Sequence, residues 1–247
     1  MITSKQNSLI KEIRSLSDKK FRDALNLYVV EGVKTVREVV SLNLPVKVVL
    51  GTEKGLSALG EVPFKVEECD EQVYKSVSAE VTPQGVLAVV EKPSNRLTSP
   101  TSSCLFLDGV SDPSNVGAIL RTAVASGYKD VYMTDDSADP FSPKCVRSSM
   151  SGVFRANIVR GNREELLGLI EYPIVVADMN GKNVFKSDIQ GEFCLVIGNE
   201  GRGVSDKLKA RADVTVSIPM QNGMESLNAA VSAGILMYNL KNTIKEK

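Results

Sequence analysis

Apolar residues recur along this chain at two spacings, and the switching between them gives a first outline of its architecture. Leu9, Ile10, Ile13 and Leu16 stand at helical spacing and predict a helix over 5–26. Residues 27–30 read as a strand, and Glu31-Gly32 leads into a helix carrying Val33, Val36, Val39 and Val40. Strands are predicted at 46–50, 64–66 and 85–90, with a helix near 71–77. Such alternation makes a small α/β unit.

The run 92–102 is polar, holds Pro93 and Pro100, and has no apolar period. It reads as a linker. The predicted organisation is therefore an N-terminal domain 1–91, a linker 92–102 and a second domain 103–247. The second domain opens with the strand 104–108 and a turn-rich loop, 109–117, that starts a helix with Ile119, Leu120, Ala123 and Val124 on its buried face. Gly127 suits the C′ position of that helix. Strands at 131–134, 156–159, 174–177 and 194–197 and helices at 143–150, 163–170 and 226–242 complete the pattern. Periodicity alone suggests a Rossmann-like sheet.

Three stretches stand out from this regular background. The apolar strand at 195–197 runs into Gly198-Asn199-Glu200-Gly201-Arg202-Gly203, where glycines permit close backbone approach. A short strand from Val216 is stopped by Pro219. Ser226 suits the N-cap of a helix that opens with small residues. Together they describe a pocket built mostly of backbone. The G-x-x-G-x-G order matches neither a dinucleotide nor a P-loop fingerprint.

Composition narrows the chemistry. There is no histidine in the 247 residues, which excludes histidine triads, imidazole bases and histidine metal ligands. Four scattered cysteines without C-x-x-C spacing argue for free thiols in a reducing cytoplasm and against a zinc site. No stretch approaches the roughly 18 apolar residues of a membrane-spanning helix. Net charge is +0, so any nucleic-acid contact must rest on local patches. Residues 141–163 hold Lys144, Arg147, Arg155, Arg160 and Arg163 without an acid. Lys144, Arg147 and Arg155 are the candidate nucleic-acid contacts. Arg121 can be read as a surface arginine of an amphipathic helix or as a functional group near the C-terminal edge of the sheet; Glu200 can be read as a solvated loop acid or as a functional acid inside the glycine run.

Asn115-x-Gly117-x-x-x-Arg121-Thr122-Ala123, Ile197-Gly198-Asn199-Glu200-Gly201-x-Gly203, and Ile218-Pro219-Met220 with Glu225-Ser226-Leu227-Asn228-Ala229-Ala230-Val231-Ser232 resemble, in order, the three motifs of SpoU/TrmH RNA 2′-O-ribose methyltransferases of the SPOUT superfamily. Residues 1–91 are similar to that family's substrate-binding domain, which resembles a small RNA-binding ribosomal-protein fold. The resemblance implies S-adenosyl-L-methionine, a homodimer and a deep C-terminal trefoil knot, which base rates for threaded chains would never suggest. It also implies a ribosomal or transfer RNA substrate. By motif position, Gly198, Asn199, Gly203, Ile218, Met220 and Leu227 are expected around the cofactor. Arg121, Asn115, Glu200, Ser226 and Asn228 are expected in the active site. Ser151 stands where the family more often has glycine. Two other readings stay open: a nicotinamide or flavin enzyme, disfavoured for want of a fingerprint, and an RNA-binding protein that has lost transfer.

Overall fold

A computed structural model describes residues 1–242; the last five residues of the predicted domain 103–247 lie outside it. The chain forms two compact units. One comprises Met1–Ser94 with Phe141–Phe154, and the other Asn95–Pro140 with the chain from Arg155 onward.

In the first unit the predicted helix 5–26 is two helices, α1 (Ser8–Ser15) and α2 (Lys19–Leu25). The break has a local cause: the Asp18 carboxylate accepts from Lys20 N at 2.9 Å and caps a new helix, while buried Arg22 donates to the carbonyls of Leu16 and Ser17. Then follow β1 (Leu27–Glu31), α3 (Val33–Ser41), β2 (Val46–Gly51), α4 (Glu53–Leu59), β3 (Val66–Glu68), α5 (Glu71–Lys75) and β4 (Val86–Glu91). Helix α4 escapes periodicity because it is short and only Gly55 and Leu59 are buried. The sheet order is β1-β4-β2-β3, with only β2 and β3 parallel. Ile10, Ile13, Leu16, Leu50, Leu87 and Tyr74 fill its core.

The second unit contains β5 (Cys104–Asp108), α6 (Pro113–Ala125) and β6 (Asp130–Thr134). Helices α7 (Pro143–Ser149) and α8 (Gly152–Arg155) intervene before β7 (Asn157–Gly161), α9 (Arg163–Gly168) and β8 (Ile174–Asn183). A 3₁₀ turn (Val184–Lys186), β9 (Cys194–Gly198), α10 (Asp206–Ala210), β10 (Val214–Ser217) and α11 (Ala229–Asn242) complete the described residues. Gly127, with φ +82°, does end α6. The final helix starts at Ala229 rather than Ser226, because the Asn228 amide oxygen caps it, accepting from Ala230 N and Val231 N.

Six parallel strands run in the order β10-β8-β9-β5-β6-β7. This departs from the Rossmann order, in which β8 would flank β5. The continuously apolar β9 takes the interior position, and β8, whose second half is polar and partly exposed, is displaced outward. Chain direction therefore reverses beside β5 and β9, where ligands of open α/β sheets bind. The linker is irregular but tied to this unit: Asn95 exchanges two hydrogen bonds with the Arg160 backbone, and Tyr132 donates to Thr98 O at 2.6 Å.

Candidate active site

The loops leaving β5 and β9 are bound to each other. Asn199 donates from Nδ2 to Gly109 O at 2.7 Å, and its Oδ1 accepts from Gly201 N and Arg202 N at 3.0 Å. Asn199 and Gly203 also exchange backbone hydrogen bonds of 3.0 and 2.9 Å, so the glycine run closes on itself. A Cβ on Gly198 would lie 2.3 Å from the Gly203 carbonyl carbon, and Gly203 has φ +69°. These two glycines serve the loop's own fold.

Glu200 leaves this loop to meet the start of α6. Its carboxylate accepts from Ser111 N at 3.1 Å, Ser111 Oγ at 2.9 Å, Asp112 N at 3.2 Å and Asn115 Nδ2 at 2.8 Å. Burial alone would raise its pKa. The hydrogen bonds from Asn115, from the loop's own backbone and from Ser111 and Asp112 outweigh burial and hold it at about 2. Asn115, only 8% exposed, extends the network by accepting from Asn228 Nδ2 at 2.9 Å. Three distant stretches of sequence thus meet through side chains. Asp112 caps α6 through Ser114 N, and Pro113 occupies its first turn, which aims Asn115 at Glu200.

The other expected residues stand apart from this network. Arg121 lies six positions beyond Asn115, a rotation of roughly 240°; it is exposed and, among the described residues, forms no ion pair. Ser226 is exposed on the irregular stretch 218–228. Ile218 and Met220 are half-buried there, and Leu227 is 37% exposed. Partly covered apolar side chains on irregular backbone offer a surface for a flat, apolar ligand group. Lys144 and Arg147 belong to the first unit and Arg155 to the second, and all three are exposed. Arg160 and Arg163, by contrast, are engaged by Asp139 and by Asp108 and Asp136. Ser151 adopts no positive φ, so glycine is not required there.

Sequence reasoning missed Ser111 and Asp112 as the donors that hold Glu200, although Asp112-Pro113 carries a capping signal. It also missed Asp108, whose buried carboxylate accepts from Arg163 Nε and from Ser205 N at 2.7 Å. Among the described residues no group of histidine, cysteine or acidic side chains could hold a metal, and no helix is long and apolar enough to cross a membrane.

Comparison with known proteins agrees with this geometry. Residues 102–238 match the SpoU rRNA Methylase family, and residues 7–88 match the MRM3-like substrate binding domain. The chain is 31% identical, over 97% of its length and 98% of the relative's, to the 23S rRNA (guanosine(2553)-2′-O)-methyltransferase RlmP of Bacillus subtilis. The AdoMet-bound rRNA methyltransferase of Sinorhizobium meliloti superposes with a TM-score of 0.88 at 28% identity, covering 99% of this chain and 98% of that one. The SpoU methyltransferase AviRb of Streptomyces viridochromogenes, in complex with AdoMet, superposes with a TM-score of 0.87 at 27% identity, covering 96% and 98%. With its three motifs joined through Glu200, Asn115 and Asn228, the chain belongs to the SpoU rRNA methylase family.

Proposed function

We propose that this protein is an S-adenosyl-L-methionine-dependent methyltransferase acting on a ribose 2′-hydroxyl of RNA, with ribosomal RNA favoured over transfer RNA. The observation that carries this reading is the hydrogen-bonded chain Glu200–Asn115–Asn228 at the ends of β5 and β9. When bound, the cofactor supplies an already activated methyl group on a sulfonium. Ile218, Met220 and Leu227, with the backbone around Gly198, Asn199 and Gly203, would hold it.

What remains for the protein is to orient the hydroxyl and manage its proton, and positioning can contribute on the order of 7–11 kcal/mol. Glu200, held ionised down to about pH 2, is a poor proton acceptor. Its role is to fix Asn115 and, through it, Asn228 and the start of α11. The Arg121 guanidinium acts electrostatically on the 2′-oxygen and its phosphate, and Ser226 serves the same site from the irregular stretch 218–228. Lys144, Arg147 and Arg155 contact RNA backbone. The functional division remains 1–91 for RNA binding, 92–102 as linker and 103–247 for transfer.

Three structural features belong to the same reading. Packing of α11 against α6, β9 and the turn 184–186 supports a trefoil knot in which α11 threads the preceding chain. Val231 and Tyr238, 51% and 49% exposed on one face of α11, support a homodimer built there. Four buried free cysteines are in keeping with a reducing, cytoplasmic setting. The test is to map ribose methylation across ribosomal and transfer RNA from cells with and without this protein. A single ribosomal nucleotide that loses its methyl group is expected. Identical maps would overturn the reading.

A further inference from the structure

The first unit contains a cavity of about 600 Å³, within the roughly 300–1,000 Å³ of ligand sites. It is lined by the first turn of α3, the loop after α5 and helix α7, which belongs to this unit although its sequence lies inside the methylase match. Val77, Val146 and the 39%-exposed Met150 give it an apolar side. Arg14, Lys34 and Arg147 give it positive charge.

Its two acids are already engaged. Glu31 accepts from Tyr74 OH at 3.1 Å, from Ala79 N at 3.0 Å and from Ser78 Oγ. Glu80 lies 3.4 Å from Arg147 Nη1, a long and exposed pair. Arg14 is fixed in place by donating to Ser76 O and Oγ at 3.3 and 3.0 Å. A shallower hollow along α3 shares Lys34 with the cavity and adds Arg37 and Glu38.

We propose that this cavity takes one unstacked nucleotide of single-stranded RNA. The base lies against Val146 and Met150, and the phosphates lie on Lys34, Arg14 and Arg147, with Glu80 holding Arg147 until phosphate displaces it. An apolar wall with cations around it matches a nucleotide, which pairs a flat apolar face with a charged backbone. The proposal rests on RNA being the substrate, and it adds the place and the residues in the first unit.

The experiment uses the full chain and a fluorescein-labelled, mixed-sequence single-stranded RNA of about 12 nucleotides, near the upper limit of single-strand site sizes. Affinity is measured across a salt series. The double variant Arg14→Gln/Lys34→Gln should bind at least tenfold more weakly, with a salt slope shallower by about 1.4, two contacts at about 0.7 each. Glu80→Gln should bind more tightly, by up to about fivefold, the worth of one exposed ion pair. 4-Thiouridine in the probe should crosslink within 76–84 or 143–150. The proposal fails if the double variant matches wild type in affinity and slope, if Glu80→Gln binds no more tightly, or if an acidic peptide outcompetes the RNA. A wild-type protein that neither binds this RNA nor methylates ribosomal RNA would overturn the proposed function itself, a different result from these.

Discussion

Two carboxylates at the ends of neighbouring parallel strands are held in opposite ways. Asp108 closes β5, in register with Gly198 of β9, and is 2% exposed. It meets Arg163, which also reaches Asp136 at 2.9 Å, so its charge is neutralised by a cation. Glu200, two residues beyond β9, is held by neutral donors alone: Ser111, Asp112 and Asn115. The arginines divide in the same way. Arg163 is engaged by two acids, whereas Arg121 is exposed and, among the described residues, forms no ion pair. An ion pair consumes its charge in holding the fold. A charge satisfied by neutral dipoles orders the groups that donate to it, and one left in solvent stays available to a substrate.

The comparison can be broken most directly at Arg121. Arg121→Ala should abolish methyl transfer to ribosomal RNA while cofactor affinity, read by calorimetry, stays within a few-fold. Residual transfer above a tenth would mean a loss of less than about 1.4 kcal/mol, too small for an electrostatic role at the reacting oxygen. Asp108→Ala should show the opposite profile. It leaves Arg163 with one partner and Ser205 N with none, and should lower the unfolding free energy in urea by about 3 kcal/mol, the lower end for a broken buried pair. A loss below about 1 kcal/mol would mean that this cluster is not what ties the two loops.

Glu200→Gln sharpens the contrast. It should reduce transfer more than stability, with a stability cost of about 1 kcal/mol for the weakened hydrogen bonds. The effect has a pH signature. The folded pKa is depressed from 4.5 to about 2, so the carboxylate contributes stability above about pH 4.5, and that contribution is lost as pH falls toward 2. The stability gap between wild type and Glu200→Gln should therefore be flat above pH 5 and close below 4. A gap that instead changes between pH 6 and 8 would contradict the network. Smallest is Arg155→Gln, which should make the salt dependence of RNA binding shallower by about 0.7 without changing cofactor affinity. An unchanged slope would leave Arg155 a solvated side chain.

How legible this was differs by element. Strands β1, β4, β5 and β9 announce themselves as unbroken apolar runs, because a strand buried on both faces needs no polar alternation. Short helices such as α4 and α10 do not, since each buries too few residues to impose a period. The break between α1 and α2 depends on Asp18 and Arg22, whose capping bonds outweigh the helical propensity around them. The capping of α11 by Asn228 rather than Ser226 was decided in the same way.

Within the candidate site the sequence named three members of the hydrogen-bonded network but not their connections. Asn115, Glu200 and Asn228 could be named from motif positions, yet 85 residues separate Asn115 from Glu200 and 113 separate it from Asn228. Only the insertion of β9 beside β5 brings them within hydrogen-bond distance. The acid-free run 141–163 likewise looked like one basic patch. Tertiary structure divided it, setting Arg160 and Arg163 against acids and assigning Lys144 and Arg147 to the other unit. Apolar periodicity and capping chemistry act over a few residues and are written locally. Strand order and charge pairing depend on which distant segments share a core, and that was decided by the packing of the whole sheet.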